Sequence, residues 1–179
     1  MKYLVLTLLF YSSSYAVDDN FIKDAKELTS ELKMSLMKNL SDKMGKDGVA
    51  AAVPFCHANV KLIAKKAAKN KVELYEFGRT SHKLRNSNNS PQPWAHDYLK
   101  AFAGRKRGEI KKDYIVHKLE NGKRVFMEPL YVEAKCLLCH GENVSSNVKD
   151  KIQELYPDDK AFGFKLDEFR GFIWIKEKT

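Results

Sequence analysis

No apolar run in the 179 residues is long enough to cross a bilayer, which takes about 20 residues in a helix. Internal repeats and low-complexity segments are also missing, so a solenoid or an array is not expected. Charge of one sign is nowhere concentrated except at Arg105-Lys106-Arg107. Elsewhere lysines stand beside acids, as in Lys23-Asp24 and Lys149-Asp150-Lys151. The formal net charge of +9 therefore reads as a solvated surface able to steer an acidic partner, and nucleic-acid binding is not expected. Cysteine is scarce, with three in the chain. No methionine follows His140, and no second Cys/His pair is available to complete a zinc site.

What is present begins with a processing signal. Lys2 gives a positive start, Leu4 to Phe10 is apolar, and Ser14-Tyr15-Ala16 places small residues three before and one before a cut after Ala16. Residues 1–16 are thus expected to be a cleaved signal peptide rather than an uncleaved anchor. With no cysteine beside the cut, no lipid anchor is expected. The mature chain, 17–179, is expected to be periplasmic, a single domain and not an integral membrane protein.

Asp18 to about Met44 has apolar residues at three- and four-residue steps (Phe21, Ala25, Leu28, Leu32, Leu36, Leu40) and predicts a long helix, broken at Gly45 to Gly48. A second helix runs from Val49 or Pro54 to Asn70. Val49, Val53, Cys56, Val60, Ile63 and Ala67 form one stripe, with His57 toward its edge. Val72 to Phe77 reads as a strand, Gly78 to Pro93 as a long loop, and Trp94 to Ala103 as a short helix. Tyr114–Leu119 and Lys123–Met127 flank Asn121-Gly122, a strong hairpin signal. A helix from Asn147, with Asp150 completing its cap, and a strand Phe169–Lys176 close the chain. The fold class is α+β, with a largely antiparallel sheet and helical insertions.

The chemistry concentrates in Cys136-Leu137-Leu138-Cys139-His140. Two thiols one helical turn apart can both form thioethers on one edge of a porphyrin, and the next histidine then lies beneath the iron. The pattern predicts one covalent c-type haem. Two alternatives are a thioredoxin-like Cys136/Cys139 pair, which usually needs a βαβ setting not seen here, and a zinc site. For the sixth iron position the leading candidate is Cys56, the leftover thiol of an exported chain, with His57 the alternative and Met127 a further one that reads better as core. A buried small hydrophobe is the other reading of Cys56. His82, His96 and His117 read as surface or internally satisfied histidines.

Three stretches carry a resemblance: the helix around Cys56; Arg79-Thr80-Ser81 through Arg85-Asn86-Ser87-Asn88-Asn89 to Pro91–Trp94; and Cys136–Gly141 through Tyr156-Pro157-Asp158-Asp159-Lys160-Ala161 to Arg170-Gly171. On these the chain resembles the PAS-like, single-haem c-type domains of bacteria, which stand alone or serve as extracytoplasmic sensor parts. The resemblance implies a central antiparallel sheet with a long N-terminal helix, His140 as proximal ligand and Cys56 as distal ligand. It also implies a loop from Arg79 to Trp94 closing over the haem, with Arg79 and Arg85 pairing its propionates unless they merely anchor the loop. The expected function is redox or small-ligand sensing, or low-potential electron transfer, with a redox or signalling protein as partner. A haem peroxidase, using His57 or His82 as distal acid–base group, is the enzyme alternative. A haem-free thiol redox protein is the other.

Overall fold

A computed structural model describes residues 20–178; the expected signal segment 1–16 lies outside them. Helix α1 (Asn20–Asp47) and helix α2 (Val49–Ala68) form an antiparallel hairpin. Strand β1 (Tyr75–Thr80), helix α3 (His96–Phe102), strands β2 (Ile115–Lys118) and β3 (Arg124–Tyr131), the one-turn helix α4 (Leu137–His140), helix α5 (Ser146–Leu155) and strand β4 (Phe169–Glu177) follow. The strands make one antiparallel sheet in the order β1-β4-β3-β2, so the architecture is α+β. Among the described residues no helix is long and apolar enough to cross a membrane.

The hairpin break is narrower than expected. α1 runs through Gly45, and only Gly48 interrupts it, at φ +83, a backbone state that a side chain would strain. Pro54 lies inside α2, where it lacks the N–H that would bond the carbonyl one turn back. The stripe of α1 is buried from Phe21 to Leu32 against the sheet, whereas Leu36 and Leu40 are half-buried. That difference arises because the second half of α1 overruns the sheet.

Alternation along β3 sorts the two faces. Phe126 and Leu130 join Ile173, Ile175, Phe77 and Tyr75 in the core beneath α1, where Glu128 takes a hydrogen bond from Thr29 Oγ1 (2.7 Å) and an ion pair from Lys33. Val125 and Met127 point the other way, into a core with Phe169, Phe172, Ala95 and the α3 residues Leu99 and Phe102. Burying each of these large side chains stabilises the fold by about 1.5–3 kcal/mol. The hairpin turn forms at Asn121-Gly122, with Gly122 at φ +83 and Lys123 N donating to Asn121 Oδ1 (3.1 Å).

β1 begins three residues later than the sequence predicts and includes Gly78, Arg79 and Thr80, because β4 supplies partners from Glu177 to Phe172. Lys69–Glu73 instead forms a 3-10 turn, entered with Lys69 at φ +48. Arg79 is therefore held on a strand, not on a loop. At the far end, α5 starts at Ser146 with no side-chain cap bond, so Asp150 does not play the predicted capping part.

Candidate functional site

Beyond the β3 bulge at Leu130/Tyr131 the chain makes a 3-10 turn, Ala134–Cys136, and passes directly into α4, which ends when Gly141 N bonds Leu137 O at 3.0 Å. The 3-10 turn ends on Cys136, the N-cap of α4, and α4 carries Cys139 and His140. Cys136 and Leu137 pack against Val132, Ala161 and Phe164, while Cys139 packs with Val53 of α2 and with Val144, Val148 and Ile152 around α5. Leu138, by contrast, is 45% exposed. Three residues apart on one turn, the two thiols share a side of α4.

The His140 ring is fixed from behind. Its Nδ1 lies 2.8 Å from the Ala161 carbonyl, and Phe164 N donates to the His140 carbonyl at 3.0 Å. A carbonyl oxygen can only accept, so Nδ1 bears the hydrogen and Nε2 keeps its lone pair. Burial, helped by the Arg170 and Arg85 guanidinia, pushes the ring's pKa well below the usual histidine value. The imidazole is thus neutral near pH 7, with a free donor atom at Nε2. These are the properties of a metal ligand.

Arg85 and Asp159 support this turn. Arg85 donates from Nε to Asp159 Oδ2 (2.8 Å) and from a terminal nitrogen to the Cys139 carbonyl (2.6 Å). Asp159 Oδ1 accepts the Ala161 N–H at 2.8 Å, and its side chain is 1% exposed. Arg170 donates to Ser81 Oγ (2.9 Å) and to the Lys83 carbonyl (3.2 Å), and its guanidinium lies 4.9 Å from the centre of the Phe164 ring. Burial, then the Arg79 and Arg85 charges, lowers its pKa to about 10.

From α2, half-buried Cys56 comes within electrostatic reach of the same groups. Burial pushes its thiol pKa up; Arg79 and Arg85 pull it down, and Cys139 adds to the rise. His57 is exposed and sets its ring edge-on to Tyr156, 5.0 Å between centroids. Arg79 stands opposite Ile173 and hence on the α1/α2 side of the sheet. Its side chain is exposed to solvent; the packing around it lowers its pKa, with Cys56 and Tyr156 acting the other way. It makes no hydrogen bond or ion pair among the described residues, and of Arg79, Arg85 and Arg170 only Arg85 has a carboxylate partner. An exposed guanidinium with no protein counter-charge among the described residues is open to an anionic group.

The structure brings Cys136, Cys139, His140, Cys56, Arg79 and Arg85 together, with two qualifications. Arg85 is committed to Asp159 and the Cys139 carbonyl, so it anchors its own surroundings and is not a free anion donor. Trp94 is not brought to the group. It packs edge-on to Trp174 (5.8 Å) in the α3 core on the opposite face, where Gly78 leaves the room that Trp174 fills: a Cβ there would meet the indole at 2.5 Å. Met127 is fully buried in that same core, away from α4.

The remaining histidines divide. His117 bonds Tyr98 Oη at 3.2 Å, and His96 is exposed. His82 departs from its expected place: it is half-buried, stacks on Phe169 (5.8 Å), and its Nδ1 is buried without a hydrogen-bond partner. Among the described residues no group of three or more His, Cys, Asp and Glu converges to hold a metal ion. Asp159 and Arg170 had no assigned role in the sequence. Their positions within Tyr156–Ala161 and Arg170-Gly171 were the only signal that could have found them.

No curated protein matches this chain. A solved structure, that of the cyanobacterial haem protein Tll0287, has the same fold, with a TM-score of 0.66 and 21% identity, covering 90% of this chain and 98% of that one. Residues 14–177 match the family described as "Tll0287-like: Tll0287". With nearly its whole length matched and the fold shared, the chain belongs to the Tll0287-like family.

Proposed function

We propose that this chain is an exported c-type haem protein that senses redox state or a small ligand, or passes electrons at low potential. One observation carries the reading: His140 has its Nδ1–H tied to the Ala161 carbonyl and its Nε2 free, on the same helical turn as two thiols. The haem named for the family's solved member supports it. So does the unpaired Arg79 cation, which meets the charge of a dicarboxylate porphyrin. A central antiparallel sheet behind a long leading helix supports the PAS-like reading.

In this reading Cys136 and Cys139 would hold the haem through two thioethers, the sulfur and hydrogen of each thiol adding across one vinyl group. His140 would ligate the haem iron through Nε2, and the Ala161 carbonyl holds the ring in the required tautomer. Cys56 would supply a second protein ligand; burial raises its thiol pKa, and the neighbouring Arg79 and Arg85 partly offset that rise. Arg79 would pair a propionate. When bound, a haem with imidazole and thiolate ligands supplies a one-electron Fe(III)/Fe(II) couple at low potential. The site is read as periplasmic, where covalent attachment takes place, and its output passes to a redox or signalling partner.

Protein matured in a host competent for cytochrome c assembly should keep its Soret band through denaturation and acid–acetone extraction. Cys136→Ala with Cys139→Ala should abolish that covalent retention, and Cys56→Ala should change the oxidised spectrum where His57→Ala does not. Colourless protein at the apoprotein mass would overturn the proposal.

A further inference from the structure

The Asp159 carboxylate touches neither His140 nor a thiol, yet it is almost wholly buried. Its oxygens are divided between Arg85 Nε and the Ala161 N–H, both at 2.8 Å. Following the bonds outward, Arg85 reaches the Cys139 carbonyl at 2.6 Å and Ala161 accepts the His140 Nδ1–H at 2.8 Å. The path therefore leaves the chain at Cys139 and returns to it at His140, one residue on. Its intermediate links run through the segment after β1 and the turn before β4. A pair that served only to join two segments would not need both of its outward bonds on adjacent residues of a third.

We propose that Arg85 and Asp159 are positioning residues, a clasp that sets the tautomer and ring plane of His140. The inference rests on the haem reading for its consequence but not for its geometry. Hydrogen bonds with an ionised partner are shorter and stronger than neutral ones, so the clasp stiffens an otherwise one-turn helix. Asp159 orients the Ala161 peptide by closing a tight two-residue turn on its N–H. The following carbonyl then faces Nδ1. Outer partners of this kind fix the orientation of a ligating imidazole and raise its basicity. Without the carboxylate, the Ala161 acceptor drifts, Nδ1 and Nε2 compete for the hydrogen, and the ring loses its single orientation.

The test uses the full chain, haem-free and haem-loaded, as wild type, Asp159→Ala, Asp159→Glu and Arg85→Lys. In the haem-free chain, nitrogen NMR of labelled histidine should show His140 as the Nδ1–H form, shifting to a mixture in Asp159→Ala. In the haem-loaded chain, Asp159→Ala should retain covalent haem by mass. It should nevertheless shift the midpoint potential and the iron–imidazole stretching band, with Asp159→Glu recovering part of the shift. Should Asp159→Ala not fold, Arg85→Lys carries the same readouts, since it keeps the charge and loses the forked geometry. Folded variants with wild-type tautomer and potential would overturn the clasp. A wild-type chain that takes up no haem would overturn the function reading instead, and the haem-free NMR would still decide the clasp.

Discussion

The sheet presents its two faces to different neighbours. On the α3 face, Val125, Met127, Phe169 and Phe172 meet Leu99 and Phe102, with aromatic rings 4.8–5.2 Å apart and nothing charged among them. On the other face the core beneath α1 gives way, past Ile173, to Arg79, and from there to Cys56 and α4. The first region is complete as it stands. In the second, among the described residues, the Arg79 cation has no counter-charge and the His140 imidazole keeps a lone pair that no protein group uses. Both regions grow from the same strands. One is packed for stability, and the other gives some up to keep donor atoms available.

The sharpest test of that contrast is Phe172→Ala. It should cost about 3–5 kcal/mol in chemical denaturation, because a fully buried ring leaves a cavity that its neighbours only partly close. The spectrum of haem-loaded protein should stay unchanged. Trp94→Ala should follow at roughly 1 kcal/mol or more, from loss of its ring pair with Trp174, again without a spectral change. A spectral shift in Trp94→Ala would return that loop to the site. Arg79→Gln should do the reverse: leave the melting temperature of the haem-free chain nearly unchanged, because the side chain is exposed and bonds no described residue, and lower that of the haem-loaded chain.

The smallest effect tests the closed side of the α1 core. Tyr75 Oη donates to Asp24 Oδ2 at 2.8 Å; burial, then that bond, holds its pKa at about 12. Because the folded value lies above the unfolded value near 10, the associated stability is fully present below pH 10. It is lost as pH rises toward 12. Wild type should therefore destabilise more steeply than Tyr75→Phe over pH 10–12 in thermal melts.

The parts legible from residue order were those governed by local rules. The α1 stripe from Phe21 to Leu32, the Asn121-Gly122 turn and the β4 strand follow from periodicity and turn chemistry, and each occurs close to where it was expected. Cys136, Cys139 and His140 announce themselves because their spacing is itself the chemistry. Arg79 was misplaced on a loop because Gly78 beside it looks like a breaker, whereas its β4 partner Trp174 needs that gap. Trp94 looked like a lid and turned out to be core, since a half-polar surrounding sequence hides the Trp174 ring that awaits it.

Local spacing thus chose the helices, the hairpin and the grouping of Cys136, Cys139 and His140, because each depends on residues within one or two turns of one another. Long-range pairing alone decided which nitrogen of His140 is free, that Arg85 binds Asp159, 74 positions away, and that Arg79 lies near Cys56 without a counter-charge. The partners in those contacts are far apart in the chain. Only a register between strands and a packed helix pair can bring them within hydrogen-bond or Coulomb range.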